Sequence, residues 1–375
     1  MKKSRLARGD GGLNHGETSM TIRKTAATLA LLLAGTAMST LPGHTQAFGG
    51  AEAAKAQQAL DDKYTKLQYT EEVLPLRIPG HTLGETEGVN KNAAGHLFVY
   101  SRTGKGGSAR GGTAAELYEF GPAPDYKFVK EWFPDSYGAS FAHSVRIDKD
   151  QNVWIVDEGS SMIIEAKPNG DLIKEFGRKP EAIDYLETYL ERGEKVQSRY
   201  PVGAMGSFNR PTDIAWDQQG NSYVSDGYGN SRVVKIAKDG TWVKAVGTHG
   251  GGDGQFMTPH GIAVDQANNV VIVADRNNNR IQVYDYNLNF KKYIKGIGAP
   301  WSVQVTPKYI YSGDGGTGKI YRLDKQSGNV LGVVQTGLGQ GQTSCLIHEM
   351  YAESDTVLYR GACAEWNVEK ITFKN

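Results

Sequence analysis

Three histidines occupy equivalent positions in short apolar segments of the chain. The segments read FAHSVRID around His143, TPHGIAVD around His260 and LIHEMYA around His348. Imidazole is the commonest metal-binding side chain, and three imidazoles form the ligand set of catalytic zinc sites, in which a fourth position stays open. Whether these three side chains could share one ion depends on the elements that carry them.

The segments belong to a repeat in which a strand, a turn rich in Asp, Asn and Gly, and a second strand follow one another. The six copies start their first strands at Glu87, His143, Thr212, His260, Trp301 and His348. A repeat of about 40–50 residues with about four strands is typical of a propeller blade. The sequence therefore predicts an all-β protein, a six-bladed β-propeller.

The first strand of every propeller blade lines the central channel, so equivalent positions form a ring around the axis. Here the ring reads Glu, His, Thr, His, Trp, His, with a histidine in every second blade. Imidazoles that enter from about 120° apart would converge on one ion and leave a position for water or substrate. The sequence predicts a catalytic zinc ion held by His143, His260 and His348.

Other polar residues of the repeat have structural interpretations. His81, His96 and His249 fall outside the ring and are expected to make ordinary packing or hydrogen-bonding contacts. Four aspartates recur at the ends of second strands, where they are expected to hold turns through hydrogen bonds. They are Asp157, Asp226, Asp275 and Asp314.

Residues 1–47 have the composition of a leader with a secretory signal. A basic start at Met20–Lys24 precedes the small, apolar run Thr25–Ala37, which is the order found in secretory signals. We expect export to the periplasm or the extracellular space, an N-terminal segment over residues 48–80 and the propeller over residues 81–375. No later stretch is long and apolar enough to span a membrane, and the mature chain is expected to be a monomer without membrane association.

The charge balance argues against nucleic acid as a partner. The chain carries 42 Lys and Arg against 41 Asp and Glu, without the basic excess that recognition of a phosphate backbone requires. Its two cysteines, Cys345 and Cys363, would lie at neighbouring ends of two antiparallel strands. In an oxidising compartment they could form a disulfide, and two free buried thiols are the alternative.

The most regular repeat resembles a known family. The phrase GQFMTPHGIAVD followed by VADRNNNRIQVY resembles the NHL repeat, and its combination with VSDGYGNSRVVK is similar to the peptidyl-α-hydroxyglycine α-amidating lyases. Those enzymes are six-bladed propellers with a catalytic zinc and a structural calcium. The resemblance covers roughly residues 85–375 and implies the same fold and the same two metals.

The resemblance also implies an active site around the zinc, whose family ligands match the three ring histidines. Tyr228 in SDGYGNSR matches the catalytic Tyr, Arg102 in HLFVYSR matches the Arg beside that Tyr, and Arg276 in VADR matches a second active-site Arg. An adjacent guanidinium would favour the phenolate form of a Tyr that acts as a base. An Arg could also hold a substrate carboxylate through two hydrogen bonds.

The calcium site that the resemblance implies would use the main-chain oxygens of Val89 and Val145 and the carboxylate of Glu349. Two departures from the family affect what can be carried over. Glu349 stands where the family has Asp, and Gly229 follows Tyr228 where animal members have a disulfide-bonded Cys. The chemistry could therefore persist while the substrate differs.

Three functions remain open from the sequence. The first is an exported zinc lyase that cleaves the C–N bond of a carbinolamide, a small molecule or peptide of the peptidyl-α-hydroxyglycine kind, to an amide and glyoxylate. The second is another metal-dependent propeller hydrolase, lactonase-like, but its metal is usually calcium held by carboxylates, whereas the His-rich ring favours zinc. The third is a non-catalytic NHL binding module, in which an open ring of three histidines would have no purpose.

Overall fold

The computed structural model describes residues 50–103, 115–179, 204–337 and 345–374. It begins with helix α1 (Gly50–Asp61) and strand β1 (Tyr69–Val73). The described strands form six four-stranded antiparallel sheets, so the predicted six-bladed β-propeller is confirmed. The predicted leader of residues 1–47 lies outside the described residues.

Blades 1 to 3 each consist of strands that are consecutive in sequence. Blade 1 contains β2 (Glu85–Lys91), β3 (Leu97–Arg102), β4 (Ala115–Phe120) and β5 (Phe128–Trp132). Blade 2 contains β6 (Ala142–Ile147), β7 (Val153–Asp157), β8 (Met162–Ala166) and β9 (Leu172–Gly177). Blade 3 contains β10 (Asp213–Trp216), β11 (Ser222–Asp226), β12 (Arg232–Ile236) and β13 (Trp242–Val246).

Blades 4 and 5 repeat this arrangement, and blade 6 completes it with three strands of its own. Blade 4 contains β14 (Pro259–Asp265), β15 (Val270–Asp275), β16 (Arg280–Asp285) and β17 (Phe290–Lys295), with a 3-10 turn at Arg276–Asn278. Blade 5 contains β18 (Pro300–Val305), β19 (Tyr309–Asp314), β20 (Lys319–Asp324) and β21 (Val330–Gln335). Blade 6 contains β22 (Glu349–Ala352), β23 (Val357–Ala362) and β24 (Asn367–Phe373).

The N-terminal strand β1 closes the ring of blades. It pairs antiparallel with β24, with Tyr69 opposite Phe373, and is therefore the outermost strand of blade 6. This strand lies within the segment of residues 48–80, whose run to Ile78 could complete a blade by its sequence, and its pairing makes it part of the propeller sheet. A disulfide between Cys345 and Cys363, whose Cα atoms are 5.5 Å apart, links the chain before β22 to the end of β23.

Helix α1 lies against blade 5 through a buried carboxylate. The hydroxyl of Tyr321 donates to Asp61 at 3.0 Å, and the Lys319 ammonium lies 2.6 Å from the same carboxylate. Among the described residues, no helix combines the length and the apolar character needed to cross a bilayer.

Buried apolar side chains fill the space between each pair of neighbouring blades. The described residues form six such clusters, one for every interface around the ring. The cluster between blades 1 and 2, for example, includes Phe98, Trp132 and Ile155. Because each blade buries both faces against its neighbours, the apolar core does not depend on the side chains that face the axis.

Aspartates fix the turns that carry the site loops. Asp226, at the end of β11, accepts hydrogen bonds from the amide of Asn209 and from Arg232 Nε, each at 2.9 Å. Asp275, at the end of β15, accepts in the same way from the amide of Met257 at 2.8 Å and from Arg280 Nε at 2.7 Å. These hydrogen bonds agree with the turn-stabilising role predicted for Asp226 and Asp275.

Candidate metal centre and active site

Four of the six ring residues sit at irregularities of the innermost strands, and Thr212 and His348 directly precede theirs. The register of β6 on β7 shifts at His143, which is left without a partner across the ladder. Equivalent shifts occur at Glu87 in β2, at Trp301 in β18 and next to His260 in β14. A bulge bends its strand and redirects a side chain. The bulges therefore let these strands pair along the blade and still direct one side chain each toward the axis.

The structure brings the three predicted zinc ligands together. His143, His260 and His348 are 2%, 2% and 3% exposed. The ring centroid of His143 is 4.6 Å from that of His260 and 4.5 Å from that of His348, and the third pair is 5.0 Å apart. One nitrogen of each ring lies within 4.8 Å of the other two. A ligand set of this type and separation is one that Zn²⁺ can draw together.

The main chain of the next blade sets the tautomer of two of these rings. His260 Nδ1 is 2.7 Å from the carbonyl oxygen of Trp301, and His348 Nδ1 is 2.8 Å from that of Glu87. A carbonyl only accepts, so Nδ1 carries the proton and Nε2 keeps a lone pair for a metal. For His143 the corresponding main-chain group is that of Thr212, which acts to raise the pKa of the ring. Among the described residues, neither nitrogen of His143 has a hydrogen bond of normal geometry.

Burial keeps two of the ligands neutral. Burial and the charges of the neighbouring histidines lower the pKa of His143 well below its ordinary value of 6.5. Burial, Arg276 and His348 do the same to the pKa of His260. Both rings are therefore unprotonated at neutral pH, which is the form that binds a metal ion.

We expect the chelator-treated protein to lose stability as the pH falls below about 6.5. Because His143 and His260 have depressed pKa values when folded, the unfolded chain binds more protons below its own histidine pKa, and acid favours it. Stability is retained above that pH and lost below it, by up to about 1.4 kcal/mol per pH unit for each histidine. Urea unfolding at about pH 7.5 and 5.5 measures the change. A His143→Gln/His260→Gln variant should lose most of this pH dependence, and an unchanged dependence would contradict the assignment.

Glu87 is a ring residue to which the sequence analysis gave no role. Its carboxylate is fully buried. Oε1 lies 3.0 Å from Arg102 Nη1, and Oε2 lies 2.8 Å from His348 Nε2. Burial acts to raise the pKa of Glu87, but Arg102 and His348 together lower it below the ordinary value. Because His348 Nε2 and the carboxylate oxygen both present lone pairs, their contact needs a proton or a cation between them.

Tyr228 lies beside the histidines, on the loop after β11. Gly227 lets this loop approach blade 4, since a Cβ there would be 1.9 Å from the carbonyl oxygen of Pro259. The hydroxyl of Tyr228 is 3.3 Å from His260 Nε2, and Arg276 Nη1 donates to it at 3.2 Å. Burial raises the pKa of Tyr228, while Arg276 acts to lower it.

Arg102 has different partners from those that its family match implied. Its guanidinium contacts the carboxylates of Glu87, Glu85 and Glu158 at 3.0 to 3.4 Å and covers the ring of Phe141 at 3.6 Å. The guanidinium that donates to the Tyr228 hydroxyl is that of Arg276. Arg102 therefore acts on Tyr228 through its charge, as one of the causes that lower the Tyr228 pKa.

Sequence reasoning also missed Arg210 and Glu158 near the same loop. Arg210 has a positive φ of 60°, and its guanidinium lies 4.7 Å from the centre of the Tyr228 ring. Its Nε donates to Glu158 at 2.8 Å. Glu158 directly follows Asp157 at the end of β7, so the repeat predicts its position. The repeat does not predict the backbone strain at Arg210, a feature that often marks functional sites.

The comparisons with known proteins agree with this architecture. The NHL repeat matches residues 256–284. A probable peptidyl-α-hydroxyglycine α-amidating lyase of Caenorhabditis elegans is 25% identical over 72% of this chain and 74% of its own length. The NHL repeat-containing protein 3 of Homo sapiens is 33% identical over 43% of each chain. Virginiamycin B lyase from Staphylococcus aureus superposes with a TM-score of 0.54 at 13% identity, over 82% of this chain and 99% of that one.

The chain contains an NHL repeat within its six-bladed propeller and resembles the amidating lyases. The superposition on virginiamycin B lyase supports the fold alone at its low identity. The NHL match includes His260 and Arg276, so part of the candidate site lies in the most recognisable repeat.

The calcium site implied by the amidating lyases does not fit the residues present. Glu349 Oε2 accepts the main-chain amides of Val89 at 3.1 Å and Val145 at 3.3 Å, so N–H donors already engage the oxygen that calcium would need as a ligand. Arg146 Nη1 also lies 3.0 Å from Glu349 Oε1. Burial raises the pKa of Glu349, and Arg146 opposes that rise. The carboxylate that the implied calcium ion would need is therefore already paired with a guanidinium.

Proposed function

We propose that the protein is an exported zinc-dependent carbon–nitrogen lyase, which cleaves a peptidyl-α-hydroxyglycine-like carbinolamide to an amide and glyoxylate. The observation that carries the proposal is the convergence of three buried imidazoles next to the hydroxyl of Tyr228. His143, His260 and His348 would hold the zinc. Relatives that are named amidating lyases support the same chemistry at low identity.

The proposed reaction moves one proton and breaks one bond. Bound to the three imidazoles, zinc would supply Lewis-acid chemistry that makes a hydroxyl group more acidic. The phenolic oxygen of Tyr228 takes the proton of the substrate hydroxyl. The hydroxyl oxygen then forms the aldehyde C=O bond while the C–N bond breaks. The electron pair of the C–N bond leaves on the amide nitrogen, which receives the proton that Tyr228 took. Arg276, which already donates to the Tyr228 hydroxyl, stabilises the phenolate form.

The positive charges around Tyr228 partly offset the burial that raises its pKa. Burial alone would disfavour the phenolate, and Glu158 adds to that effect. Arg276 and Arg102 oppose it as positive charges. A substrate carboxylate would bind at the same place, where Arg276 is 8% exposed and the side chain of Arg210 is 33% exposed. We propose Arg276 as the carboxylate-binding residue, with Arg210 as the more accessible cation beside it.

Export forms part of the same proposal. The basic start and apolar run within residues 20–37 support a secretory signal. The disulfide between Cys345 and Cys363 supports an oxidising compartment, because such bonds rarely persist in the cytosol.

We expect the purified zinc-loaded protein to release glyoxylate from an α-hydroxyglycine peptide or from an N-acyl-α-hydroxyglycine. Amide and glyoxylate should form in equal amounts, because one C–N cleavage yields both. The matching N-acylglycine, which lacks the hydroxyl, is the control substrate and should give no glyoxylate. The assay is run together with metal analysis and after treatment with a chelator.

The outcomes separate the three candidate functions. A protein that binds zinc but leaves both substrates intact contradicts the lyase and directs attention to lactones and esters. A protein without any bound metal ion contradicts both enzymes and leaves the binding module. A chelator-treated protein that keeps full turnover contradicts the metal requirement.

A further inference from the structure

A cluster of buried charges lies on the axis next to the histidine ring. Asp213 follows the ring residue Thr212, and Glu349 follows the ring residue His348. Both carboxylates are buried, at 3% and 4% exposure, and the side chain between them is that of Arg146, at 7%. The three residues come from blades 3, 6 and 2, so the cluster joins inner strands that are far apart in sequence.

Arg146 bridges the two carboxylates through most of its donors. Nε lies 2.8 Å from Asp213 Oδ1, Nη2 lies 2.5 Å from Asp213 Oδ2, and Nη1 lies 3.0 Å from Glu349 Oε1. The pairing with Asp213 is therefore bidentate, the geometry in which a guanidinium binds a carboxylate most strongly. The hydroxyl of Ser144 lies 2.9 Å from an oxygen of each acid.

Main-chain amides satisfy the remaining faces of the carboxylates. The amides of Ile214 and Ile262 donate to Asp213 at 2.8 and 3.0 Å, as those of Val89 and Val145 do to Glu349. Gly88 allows this close approach, because a Cβ there would be 2.6 Å from the Val145 nitrogen and 2.9 Å from Glu349 Oε2. Each carboxylate oxygen thus has a donor, and no carbonyl oxygen is needed to complete the cluster.

We infer that the guanidinium of Arg146 is the resident cation of this axial site and replaces the calcium ion that the family resemblance implies. Two buried acids facing each other on the axis require a positive charge, since uncompensated buried carboxylates are strongly disfavoured. Arg146 supplies that charge from within the chain. The protein should therefore need no calcium, and removal of Arg146 should create a site that does. This inference does not depend on the reaction proposed for the histidine ring.

The first test uses the wild-type protein. After dialysis against a calcium chelator and desalting, it should contain no calcium, and its melting temperature should be the same with and without millimolar calcium. Zinc content is measured in the same samples, so that a change at the histidine ring is recognised separately. Calcium retained in proportion to the protein, or a melting temperature that rises with calcium, overturns the inference.

The second test removes the resident cation. We expect Arg146→Ser to melt about 5–15 °C below the wild type in chelator, as loss of one partner of a buried ion pair predicts. Added calcium should raise its melting temperature, because a ligand that binds only the folded state stabilises it by mass action. Arg146→Lys keeps a positive charge and should respond little to calcium.

A matched variant separates a cation site from a general loss of a buried arginine. Arg232 is also buried, at 3% exposure, and pairs with the carboxylate of Asp226 at 2.9 Å. Arg232→Ser should be destabilised without any response to calcium. The inference is overturned if Arg146→Ser is as stable as the wild type in chelator, or if its response to calcium is no larger than that of Arg232→Ser.

Discussion

The His260→Ala variant is expected to lose its zinc and its turnover together while the propeller stays folded. His260 Nε2 keeps a lone pair because Nδ1 is committed to the carbonyl of Trp301, so the substitution removes one of three ligands. Losing a ligand should weaken zinc binding by more than the roughly 10–100-fold typical of losing an outer partner. Turnover should fall in proportion to the zinc that remains bound. Chelator competition and glyoxylate release measure the two effects on the same samples.

The fold should survive because the ring side chains lie outside the apolar clusters between the blades. Circular dichroism and the urea midpoint of the chelator-treated protein test this. His249→Ala is the matched control, since His249 lies outside the ring and its ring nitrogen contacts only the Ser231 hydroxyl, at 3.3 Å, among its described hydrogen bonds. Full zinc binding by His260→Ala, or an equal loss in His249→Ala, would contradict the predicted ligand set.

The positions of the histidines could be predicted because a propeller turns a linear repeat into a ring. Residues at the same place in successive copies must lie around one axis, so alternate copies place His143, His260 and His348 about one point. The same argument gave the propeller, whereas the family resemblance assigned Tyr228 and Arg276 to the site around the histidines. No contact between individual side chains was needed for any of these predictions.

Pairings across the axis could not be predicted in the same way. The repeat places Arg102 and Arg276 at equivalent positions of different blades. The directions of their side chains decide which of the two reaches the Tyr228 hydroxyl, and the one that does is Arg276. The pairing of Arg146 with two carboxylates was hidden for a related reason. Its partners Asp213 and Glu349 come from other blades, and nothing in the spacing within one copy reports a contact between copies.

The Tyr228→Phe variant is expected to keep its zinc and lose about 10²–10⁴-fold in kcat, the usual contribution of a general base. The hydroxyl of Tyr228 contacts His260 Nε2 and Arg276 Nη1, while its ring lies against the Arg210 guanidinium. Phe retains that ring contact and removes only the atom that would carry the proton. The measurement is kcat for glyoxylate release, with zinc content determined on the same preparation.

Tyr286→Phe provides the control for the loss of a hydroxyl, because the Tyr286 hydroxyl bonds to the surface side chains of Gln266, at 3.2 Å, and Gln218. It should keep both zinc and turnover. Full turnover in Tyr228→Phe would show that another group takes the proton. Loss of zinc in Tyr228→Phe would contradict the proton-transfer role in a different way, because the hydroxyl would then belong to the metal's ligand set. Only retained zinc with reduced kcat is consistent with Tyr228 as the base, since the imidazoles and the base then act through separate atoms.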